Sequence, residues 1–155
     1  MTFFRVPALI AVSFVFAGCT LDASKLEKGI SEKLEKEGLH IERVTCPKDR
    51  KIKEGDEFTC EGTEKDGEDF TVDVTQKKGG DVSWEMQEKF LPVSKVKNHI
   101  ADKTGGKVDV DCEADAFIIA KGRKITCKVE VDGKKSKIQL TMNDTKGDEI
   151  SLTEL

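Results

Sequence analysis

Tyrosine is absent from this chain, histidine occurs twice and tryptophan once. Each shortage excludes a class of chemistry. Sugar-binding sites use aromatic rings as flat apolar platforms. Past residue 18 the chain offers only Phe58, Phe70, Trp84, Phe90 and Phe117, and three of these fall at core-phase positions. Trp84 itself reads as core. His40 stands at a helix-to-strand junction and His99 beside Val96 and Ile100, and neither has a second ligand at zinc spacing. No metal or other cofactor is therefore expected. Cys-x-x-Cys, the spacing that makes a reactive redox thiol, does not occur, and no serine sits in a Gly-x-Ser-x-Gly elbow. Asp109, Asp111, Glu113 and Asp115 suggest a calcium loop, but Ala114 and Ala120 stand where its glycine and final glutamate belong. Those acids alternate with Val108, Val110, Cys112 and Ala114, the pattern of the wet face of a strand. A basic excess is also missing: 26 Lys and Arg face 30 Asp and Glu, which argues against nucleic acid as a partner.

One apolar run stands out, the thirteen residues Val6 to Gly18, preceded by Arg5. A finished membrane-spanning helix needs about twenty such residues. A basic start, a short apolar stretch and small residues at its end mark a secretory leader. Phe16-Ala17-Gly18-Cys19 resembles the bacterial lipobox, with Phe16 where leucine is usual. The resemblance implies that Cys19 is lipidated, that residues 1–18 are removed and that residues 19–23 form a lipid-anchored tether. The protein would then be exported and held on the cell membrane or the outer membrane. In a cell with an outer membrane, Thr20 after the lipidated cysteine resembles the default residue that permits outward sorting. Removing residues 1–18 from 155 leaves 137 residues with a net charge of −5, since Arg5 is the leader's only charge.

What remains repeats. Gly55-Asp56-Glu57-Phe58-Thr59-Cys60 returns as Gly122-Arg123-Lys124-Ile125-Thr126-Cys127. Ser24-Lys25-Leu26-Glu27 has the form of a capping box, and Leu26, Ile30 and Leu34 form the apolar stripe of a helix ending near Gly38. Alternating segments follow around Val44 and Cys46, Phe58 and Cys60, Phe70 to Val74, and Val82 to Met86, with Asp66-Gly67 as a hairpin turn. Gln87 to Pro92 is a short joint whose Phe90 and Leu91 imply that the two halves touch. The series restarts at Ser94-Lys95-Val96 and runs through Val108 to Cys112, Ile125 to Val131, Ile138 to Met142, and Ile150 with Leu152. Ala116 to Ala120 is apolar where the first copy has a polar loop. The expected fold is α+β, two tandem units over residues 24–86 and 92–155. Each is one helix on an antiparallel sheet of about four strands. With Cys19 set aside, four cysteines allow three pairings, and the repeat favours Cys46–Cys60 with Cys112–Cys127, one per unit. Each staple closes a short loop and contributes about 3 kcal/mol in the chain-entropy description, which matters to units this small.

A leader ending in cysteine, Val44-Thr45-Cys46-Pro47 and then Gly55-x-x-Phe58-Thr59-Cys60 before an alternating hairpin resemble a family of small bacterial exported domains of unknown function. The family is often carried on lipoproteins. The likeness covers residues 22–86 and, more loosely, 92–155, where Glu113 replaces the proline after the first cysteine. It implies a disulfide between the paired cysteines and no established activity. The layout is also similar to the β-lactamase inhibitor proteins, as an architectural analogy without a shared motif.

One feature exceeds the background. Residues 54–73 hold nine acids (Glu54, Asp56, Glu57, Glu61, Glu64, Asp66, Glu68, Asp69 and Asp73) against Lys65, a net −8. The matching residues 121–140 hold seven bases (Lys121, Arg123, Lys124, Lys128, Lys134, Lys135 and Lys137) against Glu130 and Asp132, a net +5. Solvation of two exposed sheet faces is the plain account of these charges, and docking is the functional one. Complementary fields speed encounter and fix register, so the hairpins are candidate docking faces. Another envelope protein, anionic wall polymer or lipid headgroups, or a second copy would fit them. The expected function is non-catalytic binding on the envelope. A spacer lipoprotein without a ligand is the alternative, and a wall hydrolase the more distant one, requiring two carboxylates roughly 5–10 Å apart in a cleft.

Overall fold

A computed structural model describes residues 19–147 and 149–155; the expected leader, residues 1–18, lies outside the described residues. Helix α1 spans Ala23–Lys36 and buries Leu26, Ile30 and Leu34, the predicted stripe. Its cap differs from the expected box. Asp22 is the N-cap and its carboxylate accepts the Lys25 N–H at 3.1 Å. Ser24 therefore lies inside the first turn. Glu27 bonds elsewhere, its Oε1 accepting the Cys46 N–H at 2.8 Å, which ties the helix to the segment beyond the next strand. The helix stops at Glu37, and Gly38 turns the chain at φ +95°, a left-handed value that glycine adopts without steric cost.

Strands β1 (Ile41–Thr45), β2 (Glu57–Glu64), β3 (Asp69–Gln76) and β4 (Val82–Met86) pair in chain order as an antiparallel meander. Along β2, β3 and β4 the inward positions alternate as the sequence predicts, with Val72 and Val74 of β3 at the centre of the first core; β1 does not alternate, because its register shifts between Ile41 and Arg43. The second unit is built alike. Helix α2 (Val93–Thr104) buries Val96 and Ile100, and β6 (Val108–Asp111), β8 (Lys124–Val131), β9 (Lys134–Met142) and β10 (Ile150–Glu154) form the second antiparallel sheet in that order. Cys46 bonds Cys60 in the first unit and Cys112 bonds Cys127 in the second. The fold is α+β with two similar, singly stapled units.

Two further strands occupy the joint. Here β5 (Phe90–Pro92) and β7 (Ala116–Ile118) pair as a separate ribbon, Phe90 opposite Ile118, Leu91 opposite Phe117 and Pro92 opposite Ala116. Because successive residues of a strand point to opposite faces, the ribbon serves two cores. Ala116 and Ile118 belong to the first core, with Phe90 packed against it; Leu91, Phe117 and Ile119 belong to the second. The extra apolar stretch of the second half is thus the wall between the units. Gly38 closes the contact, its carbonyl accepting the N–H groups of Asp115 at 3.2 Å and Ala116 at 3.0 Å. A Cβ at Gly38 would stand 2.7 Å from that of Asp115, so only glycine lets the chains approach this closely.

Candidate interaction surfaces

The outer face of the first sheet carries the acidic charge. Glu57 and Glu61 of β2 and Asp69 and Asp73 of β3 are all exposed. The register sets each carboxylate opposite a threonine: Glu57 with Thr75, Thr59 with Asp73, Glu61 with Thr71 and Thr63 with Asp69. This checkerboard keeps like charges from standing directly opposite each other on those two strands, which would destabilise the pairing. Thr63 donates its hydroxyl to Asp69 at 2.9 Å and Gln87 its amide to Asp73 at 2.9 Å. Among the described residues none of these four acids has an ion pair. With Arg43 and Thr45 of the edge strand, Glu61 and Asp69 border a shallow hollow of about 420 Å³. Glu54 is exposed and Glu68 half-buried, both outside the two strands, and Asp56 is held by Arg50 at 2.6 Å.

The second hairpin carries the bases. Lys121, Lys124, Lys128, Lys134, Lys135 and Lys137 are exposed. Lys128 and Lys137 face each other across β8 and β9. Two of the six are engaged loosely within the unit, Lys128 with Asp111 at 3.7 Å and Lys135 with Glu130 at 3.8 Å, and pairs this exposed contribute little. Lys121, Lys124, Lys134 and Lys137 have no ion pair among the described residues. The acids of β6 border this patch, so the sheet's outer hollow of about 440 Å³ is mixed in sign, with Asp109, Asp111 and Glu130 beside Lys128, Lys135 and Lys137.

Two residues that the charge pattern sets on these faces are not on them. Glu64 is 2% exposed and Arg123 9% exposed, and they meet each other. Arg123 Nη1 donates to Glu64 Oε2 at 2.6 Å and to the Ile118 carbonyl at 2.8 Å, and Nη2 donates to Asp66 Oδ2 at 2.9 Å. The Ile118 N–H donates to the other Glu64 oxygen at 3.3 Å. The guanidinium also lies 5.4 Å from the Phe117 ring. Part of the charge reversal between the halves is therefore an internal match across the joint. Both residues sit on the inward phase, Glu64 following Phe58 and Cys60 along β2, and Arg123 just before β8. Nothing in a charge count separates such positions from surface ones. Burial pushes the Glu64 carboxyl up from its ordinary value, and the hydrogen bond and charge of Arg123 oppose that rise without cancelling it.

The remaining candidates fall elsewhere. Cys19 is exposed with a free thiol. His40 and His99 are exposed, and no group of three metal-ligating side chains exists among the described residues. Trp84 is half-buried beside the first core, with the Lys33 ammonium 5.1 Å from its ring. Sequence reasoning missed Gln76, which is 1% exposed. Its amide donates to the Lys51 carbonyl at 3.2 Å and to Asp56 at 3.1 Å, and accepts the Lys53 N–H at 3.1 Å. It fixes the long loop before β2. The only hint in the sequence is a polar residue at the inward phase of β3.

Residues 7–80 match the model of a domain of unknown function, DUF4333. The match begins inside the expected leader, includes Cys46 and Cys60, and ends before β4; the second unit lies beyond it. No curated protein and no solved structure matches the chain. The helix, antiparallel sheet and disulfide of the first unit fit the resemblance drawn from the sequence. The two disulfides suit an oxidising compartment outside the cytoplasm. No helix among the described residues is long and apolar enough to cross a membrane.

Proposed function

We propose that this protein is a lipoprotein of the bacterial envelope, anchored through Cys19, that acts by binding and not by catalysis. Its two units are a tandem repeat whose outer faces have diverged in charge. The first sheet offers carboxylates to a cationic partner surface. The lysines of the second hairpin suit an anionic one, on another envelope protein or on wall polymer. The single observation that carries this reading is the first sheet's outer face, where exposed Glu57, Glu61, Asp69 and Asp73 alternate with threonines and, among the described residues, make no ion pair, although Arg43 borders the same hollow as Glu61 and Asp69. Internal pairing absorbs Glu64, Asp66 and Arg123, while Glu57, Glu61, Asp69 and Asp73 on one face and Lys121, Lys124, Lys134 and Lys137 on the other make no ion pair among the described residues.

The test is capture from envelope extract by the processed protein at low and high salt. Two charge-reversed forms run beside it, Glu57→Lys with Glu61→Lys, and Lys134→Glu with Lys135→Glu and Lys137→Glu. Docking through these faces predicts a partner held at low salt, released at high salt and lost with one reversed form. Equal capture by all three forms leaves the spacer function instead.

A further inference from the structure

The expected tether is not slack. Thr20 bridges Lys51, the Leu21 N–H donates to the Arg50 carbonyl at 2.7 Å, and the Ile52 N–H donates to the Cys19 carbonyl at 3.0 Å. Residues 19–21 thus run antiparallel to residues 50–52 through one bridge, and α1 follows immediately after Asp22. A free linker would add at most about 3.5 Å of reach per residue; here the residue that would bear the lipid is itself hydrogen-bonded to the first unit. With a lipid on Cys19, whatever surrounds that residue lies at the membrane surface. That region is basic, although the protein as a whole is acidic. Lys25, Lys48, Lys51, Lys53, Lys77 and Lys78 are exposed there, against Asp22, Asp49, Glu54 and Asp81. Arg50 is neutralised by Asp56. Between the lysines stands Ile52, 37% exposed and one of two large apolar side chains exposed among the described residues. It lies against Gly80, where an added Cβ would come within 3.1 Å of it. Buried Gln76 holds both Lys51 and Lys53 by their backbones, so the loop is presented in one conformation.

We infer that the loop of residues 48–53, with Lys77 and Lys78, is a docking surface for anionic phospholipid headgroups, with Ile52 entering the interface. The occupant is chosen by charge and by the place where the chain leaves for its anchor. Lysines close to an anionic leaflet are drawn to it, and an apolar side chain adds burial at the headgroup boundary. Docking would fix the first unit on the bilayer in one orientation, with the lipid and the loop as two attachments. This inference rests on the reading that Cys19 is lipidated.

The test uses the full chain expressed in a bacterium and processed there. Mass spectrometry of the N-terminal peptide reads the lipid on Cys19. The purified lipoprotein is then reconstituted into vesicles of phosphatidylcholine, alone or with phosphatidylglycerol, carrying a nitroxide headgroup lipid as quencher. Trp84 is the only tryptophan and borders the same groove as Ile52, so its fluorescence reports approach to the bilayer. Docking predicts quenching in the anionic vesicles that falls at high salt. Lys51→Glu with Lys53→Glu should lower the docked-to-free ratio by roughly fivefold or more per lysine. Reversal of Lys95 and Lys103 on α2 should leave it unchanged, and reversal of Lys134, Lys135 and Lys137 tests whether the second hairpin docks instead. Equal quenching in both vesicle types, no quenching, or sensitivity only to the second hairpin would overturn the inference while leaving the anchor in place. An unmodified Cys19 would overturn the anchor and the inference together.

Discussion

Glu64 and Arg123 illustrate how little a side chain's charge says about its position. Both satisfy every hydrogen-bonding atom that burial takes from water, and no buried side-chain nitrogen or oxygen lacks a partner among the described residues. Removing one member of a buried ion pair leaves the other charged and unsolvated, at a cost of about 3–5 kcal/mol, whereas replacing both with apolar residues is often close to neutral. Arg123→Met should therefore destabilise strongly, and adding Glu64→Met should restore most of the loss. Urea unfolding of the two single variants and the double would show it, and additive losses would contradict the pairing. The raised carboxyl of Glu64 sets the sign of a pH effect. Its folded value lies above its unfolded value, so the folded state holds more protons between the two. Its contribution to stability is then full below the ordinary carboxylate range and is lost as pH rises through the folded value. Wild type should gain stability relative to Glu64→Gln as pH falls from neutrality, and a relative loss on acidification would show that the Arg123 pairing outweighs burial.

At the scale of elements, the ribbon of β5 and β7 is what makes one body of two units. Three-residue strands carry no periodicity that can be read from a sequence. Phe90-Leu91 signals contact between the halves, and Ala116 to Ala120 stands out only as apolar where the first half is polar. Pairing of the two segments needs both sheets to be in place. Since Ile118 lies in the first core and Phe117 in the second, neighbouring truncations should act on different units. Ile118→Ala, at about 2–5 kcal/mol, and Phe117→Ala, at about 3–5 kcal/mol, should each weaken the protein. Hydrogen exchange would separate them. The first should speed exchange of β2 and β3 more than of β8 and β9, and the second the reverse. Matching patterns would mean that the ribbon does not divide its faces between the cores.

For the whole molecule, the consequence is cooperativity. Residues of the second half complete the first core, and the Glu64 pairing spans the joint. The two units should unfold in one transition, with calorimetric and van't Hoff enthalpies equal. Two resolved transitions would show that each core stands alone. The same architecture keeps the acidic sheet face and the lysine hairpin in a fixed relation, so a partner that engages both meets them at a set spacing.

The local part of this structure is legible in the order of residues. The stripe of Leu26, Ile30 and Leu34, the alternation along β2, β3, β8 and β9, the Asp66-Gly67 turn and one cysteine pair per unit follow from periodicities of 3.6 and 2 and from loop lengths, all of which are short-range. The opposite charge of the two halves is legible there too. Where those charges face is not, because folding sets it through distant contacts. Glu64, Asp66 and Arg123 meet because a third, two-stranded sheet brings the ends of β2 and β8 together, and residues 19–21 lie against residues 50–52 because Gln76 holds that loop from inside. Both outcomes join residues far apart in the chain, and a charge is solvated or paired according to those contacts, not to its neighbours in sequence.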